Sequence, residues 1–458
     1  MSNELIISVS GLRGIVGDTL TAAVAHRYAA AFAATLPAGP VVVTRDGRAN
    51  GPPLVEPTVA GLSQGGGRKV LDGGIAATPT TGVLVRQHHC AGGIQISASH
   101  NPAQYNGMKL FSAEGRVVPA SAGEAVLRRY HEIESNDFSA RDEERGSHGE
   151  TLVDTTSEHL ALIERIVDVD RIRGQRFRVL LDANHGSGSV LGRRLLERLN
   201  CEVVVLGGEP NGLFAHEPEP TPQNLASVLQ EVTKVVAQIG FCQDPDADRL
   251  AIIDERGRYI GEEYTLALCV DHVLRSAPGP VVTNCSTSRM AEDLARKYGV
   301  PFFRSAVGEA NVVDEMLKRG AILGGEGNGG VIDPRVVLVR DSFVGMALVL
   351  DAMAARKTSI SALAAELPSY AIHKAKVSIP RDAIGSALNS LEQHFSDAKS
   401  DRLDGLRLDW GHGNGSGSWL LVRASNTEPI VRIIAEAPTE SRAAALCDEA
   451  AKEMCTPR

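Results

Sequence analysis

Short apolar runs recur along the chain, each ending in a polar or glycine-rich stretch. Val41-Val42-Val43, Lys69-Val70-Leu71 and Gly92-Gly93-Ile94-Gln95-Ile96 predict strands, with helix-like spacing near residues 54–64 and again before Gly92. A second unit reads Val179-Leu180-Leu181-Asp182, then a helix, then Glu202-Val203-Val204-Val205; a third holds strands at Val281-Val282-Thr283 and Ala321-Ile322-Leu323. Strands alternating with helices imply α/β sheets, largely parallel, with function at the strand ends. From about residue 369 the pattern changes. Lys376-Val377-Ser378-Ile379, a helical segment, strands around Trp419 and Ile430-Val431, and a final Ala/Glu-rich helix segregate sheet from helices. The fold expected is α/β: three similar mixed α/β domains over 1–150, 151–256 and 257–368, then a smaller α+β domain over 369–458. The serine- and charge-dense stretch 133–150 reads as the first exposed connection, and the repeated strand–turn–helix unit is a faint internal repeat.

Composition narrows the function classes. With 43% hydrophobic and 22% charged residues the chain reads as soluble and globular, and its 458 residues suit three or four domains. It has no apolar run of membrane-spanning length, and Met1-Ser2-Asn3-Glu4-Leu5 lacks the basic start of a signal peptide. Seven scattered cysteines, never spaced Cys-x-x-Cys, predict free thiols in a reducing cytoplasm. A net charge of −9 without basic runs excludes nucleic acid as a partner, and 4% aromatics offer no stacking platform. Oligomeric state is left open.

Four stretches carry chemistry. Ser97-Ala98-Ser99-His100-Asn101-Pro102 follows a predicted strand, so hydroxyls and an imidazole share a tight turn, with Lys109 ten residues beyond Ser99. Asp244-Pro245-Asp246-Ala247-Asp248-Arg249 offers three carboxylates at alternate positions of an extended loop, facing one side; hard oxygens of this kind suit Mg²⁺. A calcium EF-hand is excluded because Arg249 stands where the turn needs glycine and the flanks read as strands. In Gly324-Gly325-Glu326-Gly327-Asn328-Gly329-Gly330 a carboxylate and an amide on glycines can grip adjacent sugar hydroxyls, or the run can be a plain flexible loop. Arg423-Ala424-Ser425-Asn426-Thr427-Glu428-Pro429, with Arg432, forms a phosphate nest or a polar hairpin turn. Gly186-Ser187-Gly188 reads as an ordinary strand-to-helix turn with a weaker claim on phosphate.

These stretches, in this order, resemble the α-D-phosphohexomutases, which include phosphoglucomutases, phosphomannomutases and phosphoglucosamine mutases. Ser97-Ala98-Ser99-His100-Asn101-Pro102 with Asn106-Gly107-Met108-Lys109 is similar to the family's active-serine loop, and Ser10-Gly11-Leu12-Arg13-Gly14 to its N-terminal loop. The resemblance implies four domains around a central cleft and an isomerase that moves a phosphoryl group between the 1- and 6-positions of a hexose phosphate. It implies phospho-Ser99, with Arg13, His100 and Lys109 beside it, Lys109 being the base that takes and returns the sugar hydroxyl proton, its pKa lowered by neighbouring cations. Mg²⁺ would be held by Asp244, Asp246, Asp248 and a Ser99 oxygen, with hexose 1,6-bisphosphate as intermediate and activator. Arg249, Gly308 (in Val307-Gly308-Glu309), Glu326 and Asn328 would bind the sugar, and Arg423, Ser425, Asn426, Thr427 and Arg432 the distal phosphate. The chain departs from the usual Gly-Glu-x-Ser-Gly-His at Asn328 and Gly330, and from the usual glycine at Asn426. Asn328 and Glu326 tilt the expected substrate toward glucosamine phosphate, with glucose or mannose phosphate as the alternative. A phosphatase discharging Ser99 to water and a non-catalytic sugar-phosphate sensor are the rival readings.

Overall fold

The computed structural model describes residues 5–9, 11–64, 68–135, 149–411, 417–424 and 430–455. Among them, the first sheet runs in spatial order Ile6–Ser8, Gly11–Ile15, Tyr105–Ser112, Gly92–Ile96, Val41–Arg45, Val70–Ile75, Glu150–Thr151. The second runs Leu250–Asp254, Ile239–Gln243, Arg178–Asp182, Glu202–Leu206, and the third Gly330–Ile332, Leu323–Glu326, Val281–Asn284, Phe302–Ser305. Val41, Val42 and Val43 are all buried, as expected of a strand covered by helices on both faces.

The faint repeat of the sequence is a repeat of topology. In each unit two strands lie parallel to a central one, and a further strand closes one of them into an antiparallel pair. The connection inside that pair is Ser97–Gln104 in the first unit, Asp244–Arg249 in the second and Gly327–Gly329 in the third. Three chemically unrelated loops therefore sit at equivalent places. Parallel pairs outnumber antiparallel ones in the second and third sheets, as expected, and equal them in the first; in every unit the antiparallel pair is what presents the loop.

The helix Ser342–Arg356 is buried through most of its length and packs against the second unit's helices Ser157–Glu164 and Val169–Gln175 as well as elements of its own unit. The Asp341 side chain caps it, accepting from the Phe343 and Val344 N–H groups, and also meets His159 Nε2 at 2.7 Å, whose Nδ1 is 2.9 Å from Thr80 Oγ1. One buried carboxylate thus ties three units together. The last unit is an antiparallel sheet ordered Ala371–Val377, Val431–Ala437, Ser418–Ala424, Leu406–Trp410, Lys399–Asp401, backed by helices Ile384–His394 and Glu440–Cys455. Its strands at 399–401 and 406–410 were not expected from sequence. No cysteine among the described residues is disulfide-bonded, and no described helix is long and apolar enough to cross a membrane.

Candidate active site

The serine loop is clamped from behind by a residue that sequence reading did not single out. Arg48, buried, donates to the carbonyls of Ser99, Asn101, Pro102 and Tyr105, and its Nε meets Asp46 at 3.1 Å. Asp46 in turn accepts from Ser97 Oγ at 2.7 Å, and Ser97 Oγ accepts from the Ser99 N–H at 2.9 Å. So braced, Ser99 is held at φ +50°, a left-handed conformation that costs an L-residue about 1–2 kcal/mol. Its hydroxyl donates to Asp244 Oδ2 at 2.9 Å, and His100 Nδ1 lies 3.4 Å away. Burial, with Arg249 and Arg13 nearby, pushes the His100 imidazole down to about 3, so it is neutral near pH 7. Arg13 and Lys109 lie on adjacent strands at registers that share one face of the sheet (Arg13 opposite Gly107, Gly11 opposite Lys109).

Asp244, Asp246 and Asp248 converge, but not by alternation. Ala247 takes φ +55° and its N–H donates to the Asp244 carbonyl at 2.9 Å, so a turn, rather than an extended strand, gathers the carboxylates. One oxygen from each lies within 4.8 Å of the others. The first unit grips this loop through Thr78, whose hydroxyl meets Asp246 Oδ2 at 2.6 Å and whose N–H donates to the Asp246 carbonyl. The second supports it through Ser187, which donates from Oγ and N–H to the Pro245 carbonyl. Gly186-Ser187-Gly188 is thus a buttress for the carboxylate loop.

Lys109 Nζ stands 3.2 Å from Asp246 and 3.0 Å from Asp248. Burial opposes its charge, but these carboxylates outweigh burial and hold the ammonium above its ordinary value; the expected lowering is corrected. Burial and the two neighbouring aspartates push Asp244 well up, whereas at Asp248 Arg340, Lys109 and Arg249 overcome burial and hold it down. Arg249 Nε is 3.9 Å from Asp244 and 3.8 Å from Asp248. Asp246 Oδ1 and Asp248 Oδ1 are buried with no hydrogen-bond partner. Orphaned carboxylate oxygens in dry protein are costly unless a cation meets them, so this donor set fits a hard divalent ion.

Glu326 ends a strand instead of lying in the loop, and its carboxylate is fully engaged. Oε1 accepts from Asn284 Nδ2 at 2.7 Å and from the Gly308 N–H at 3.2 Å, and Oε2 accepts from Arg340 at 2.7 Å. Asn328, half-buried, accepts from the Gly330 N–H at 3.3 Å, which orients its amide. The loop docks on the carboxylate hairpin, the Gly329 carbonyl accepting from the Leu250 N–H at 3.2 Å. Arg340-Asp341, a charged pair inside the apolar run Val336–Phe343, was the legible signal for Arg340, and it was passed over.

In the last unit Arg423 Nε lies 3.1 Å from Asp404, which also accepts from the Val307 N–H at 2.9 Å, linking this domain to the Val307-Gly308-Glu309 loop. Arg423 pairs across the sheet with Arg432, and Arg432 with Lys376, a row of three cations on one face. Like charges set opposite one another repel, and an anion relieves the repulsion. Ser425, Asn426 and Thr427 lie outside the described residues, as do Ser10 and the connection at 136–148.

Comparison with known proteins covers most of the chain. Residues 5–137, 157–257 and 262–370 match the models of the phosphoglucomutase/phosphomannomutase alpha/beta/alpha domains I, II and III, and 378–453 that of the C-terminal domain. A phosphoglucomutase/phosphomannomutase of Thermococcus kodakarensis is 35% identical over 94% of both chains. A protein of Methanopyrus kandleri named "probable phosphoglucosamine mutase" is 32% identical over 96% of this chain and 95% of its own. The crystal structure of a phosphoglucomutase/phosphomannomutase family protein from Burkholderia thailandensis superposes with a TM-score of 0.79, 26% identity and 98% coverage of each chain. The chain belongs to the phosphoglucomutase/phosphomannomutase family and is a phosphohexomutase, an isomerase.

Proposed function

We propose that Ser99 is the phosphoryl carrier of this mutase and that its preferred substrate is an amino-sugar phosphate. The observation that carries the first part is the 2.9 Å hydrogen bond of Ser99 Oγ to Asp244, at the mouth of a carboxylate cluster with orphaned oxygens. Asp244, Asp246 and Asp248 would hold Mg²⁺, with an oxygen on Ser99 as a further ligand. The ion supplies neutralisation of the charge on the transferring phosphoryl group.

The chain's own groups do the rest. Arg48 fixes the loop so that Ser99 Oγ is presented without reorganisation, alternately as nucleophile and leaving group. A sugar oxygen forms a bond to phosphorus as the Ser99 Oγ–P bond breaks, and the reverse happens at the other end of the sugar. Lys109, held protonated, acts as a cation of the site and not as its resting base. The His100 imidazole, 3.4 Å from Ser99 Oγ, lies in reach of the nucleophile as a neutral hydrogen-bonding group. Arg249, Arg13, Gly308, Glu326 and Asn328 face the sugar phosphate, while Arg423, Arg432 and the 425–427 stretch hold the non-reacting phosphate. A hexose 1,6-bisphosphate is the intermediate and primes the enzyme.

The preference for glucosamine phosphate rests on Asn328, whose amide reaches a 2-amino group, and on the name of the Methanopyrus relative. It leans less on the Glu326 charge, which Arg340 balances. The test is turnover of the 1-phosphates of glucosamine, glucose, mannose and N-acetylglucosamine with Mg²⁺ and a bisphosphate activator, together with phosphate mapping. Formation of 6-phosphates, phosphate on Ser99 and loss of turnover in Ser99→Ala are expected. Inorganic phosphate as the main product supports the phosphatase reading instead. A glucose 1-phosphate preference above about tenfold, ~1.4 kcal/mol in the transition state, overturns the amino-sugar reading alone.

A further inference from the structure

We propose that Arg340 is a positioning residue of the transfer reaction, a fixed cation that couples the sugar loop to the carboxylate loop, and that position 330 is glycine to let it lie there. A Cβ built on Gly330 would stand 2.3 Å from Arg340 Cδ, 2.8 Å from Cγ and 3.0 Å from Cβ. These atoms belong to the root of the side chain and have no room to swing aside. Arg340 therefore fills the space that a side chain at 330 would take, and this is the position where the resembled loop usually carries an imidazole.

What Arg340 does from there is read from its partners. One terminal nitrogen meets Glu326 Oε2 at 2.7 Å, the other meets Asp248 Oδ2, its backbone N–H donates to Glu309 Oε1 at 2.8 Å, and Nε stands 3.5 Å from Glu309 Oε2. The planar fork reaches carboxylates of two loops at once, which a lysine's single ammonium does not. By holding Asp248 through Oδ2 it leaves Asp248 Oδ1, the orphaned oxygen, turned to the cluster. By holding Glu326 through Oε2 it sets the face that Glu326 offers the sugar. The chain thus replaces a mobile proton-bearing group with a permanent charge, so the cation there does not titrate with pH.

The inference rests on the mutase reading, and a double-mutant cycle separates the two. Arg340→Lys keeps the buried charge and should fold as wild type does, with kcat and KM for the sugar 1-phosphate each worse by about tenfold or more. Gly330→Ala, which displaces Arg340, should worsen kcat and KM together in the same way. In an Arg340→Ala background, adding Gly330→Ala should cost nothing further, the signature of residues acting as one unit. Should Arg340→Ala fold poorly, the cycle is read as rates per folded enzyme, the folded fraction being measured by circular dichroism for each variant. A Gly330→Ala cost that is unchanged when Arg340 is already altered overturns the proposal, as does wild-type kcat and KM in Arg340→Lys. Wild-type conversion of 1- to 6-phosphate, run alongside, reports on the mutase reading itself: conversion with indifferent variants sinks only the role of Arg340.

Discussion

The two ends of the candidate site are built differently. At the transfer end, Ser99, Asp244, Asp246, Asp248 and Arg48 are buried, and the nucleophile's loop is fixed by one guanidinium on four carbonyls. At the far end, Arg423 makes an ion pair with Asp404 in which both side chains keep solvent exposure (15% and 20%), and Arg432 is exposed. The difference teaches what each end has to do. Phosphoryl transfer needs atoms placed before the substrate arrives, since reorganisation in the transition state costs rate. A clamp for the non-reacting phosphate must accept a sugar that presents either end, so a partly solvated guanidinium that can exchange Asp404 for phosphate serves it better.

The largest break in that contrast should come from the carboxylate cluster. Asp246→Asn removes a charge and disturbs the Thr78 and Lys109 contacts. Turnover should fall by about a hundredfold or more, with a raised Mg²⁺ requirement; wild-type enzyme should stop on chelation, recover with Mg²⁺ and respond poorly to Ca²⁺. Metal titrations of activity check both. Next is Arg48→Met, which strands the Ser99, Asn101, Pro102 and Tyr105 carbonyls and the Asp46 charge. Urea unfolding should show a loss of about 3–5 kcal/mol, with kcat falling and KM little changed. Arg423→Ala should do the opposite. Stability should move within about 0.5 kcal/mol, while KM rises by the equivalent of about 1.5–3 kcal/mol. Equal effects of Arg48→Met and Arg423→Ala on stability would erase the distinction between the two ends.

The smallest effect sharpens the comparison on the sugar side. The Glu263 carboxylate lies under Gly327, where a Cβ would meet its Oε1 at 2.0 Å. Burial, reinforced by Glu436 and opposed by the Ser288 N–H, pushes Glu263 up to about 8. From about pH 4.3 to about pH 8 the folded state therefore keeps a proton that the unfolded chain has lost, so stability falls as pH rises through that window. Glu263→Gln should flatten this slope and gain about 1–3 kcal/mol on wild type between pH 5 and pH 9; thermal melts across that range decide it.

Much of this was legible in the sequence because the signals were local. Val41–Val43, Gly92–Ile96 and Arg178–Asp182 are legible as strands because they are short apolar runs rich in β-branched and aliphatic residues, and the serine loop follows Gly92–Ile96 directly, as the carboxylate loop follows Ile239–Gln243 and the glycine loop Leu323–Glu326. What stayed hidden depended on distant partners. Arg48 acts on carbonyls some fifty residues away, Thr78 on an aspartate far down the chain, and Arg340 on two carboxylates from different loops. Lys109 was misjudged for the same reason: spacing does not say whether cations or carboxylates stand nearest an amine. The strand at 399–401 was missed because Lys399-Ser400-Asp401 is wholly polar and exposed, whereas Leu406-Arg407-Leu408-Asp409-Trp410 does alternate and was a legible signal.

The left-handed backbone of Ser99 sets stability and chemistry against each other at one residue. Glycine adopts φ +50° without a steric cost, so Ser99→Gly relaxes the loop where Ser99→Ala keeps the strain. A lineage released from the need for turnover would gain stability by trading this serine for glycine. With Ser99 as the proposed phosphoryl carrier, a serine kept at position 99 would mark selection for reaction over persistence, and a glycine there in a related chain would read as the fossil of an enzyme that had kept its fold and given up its chemistry.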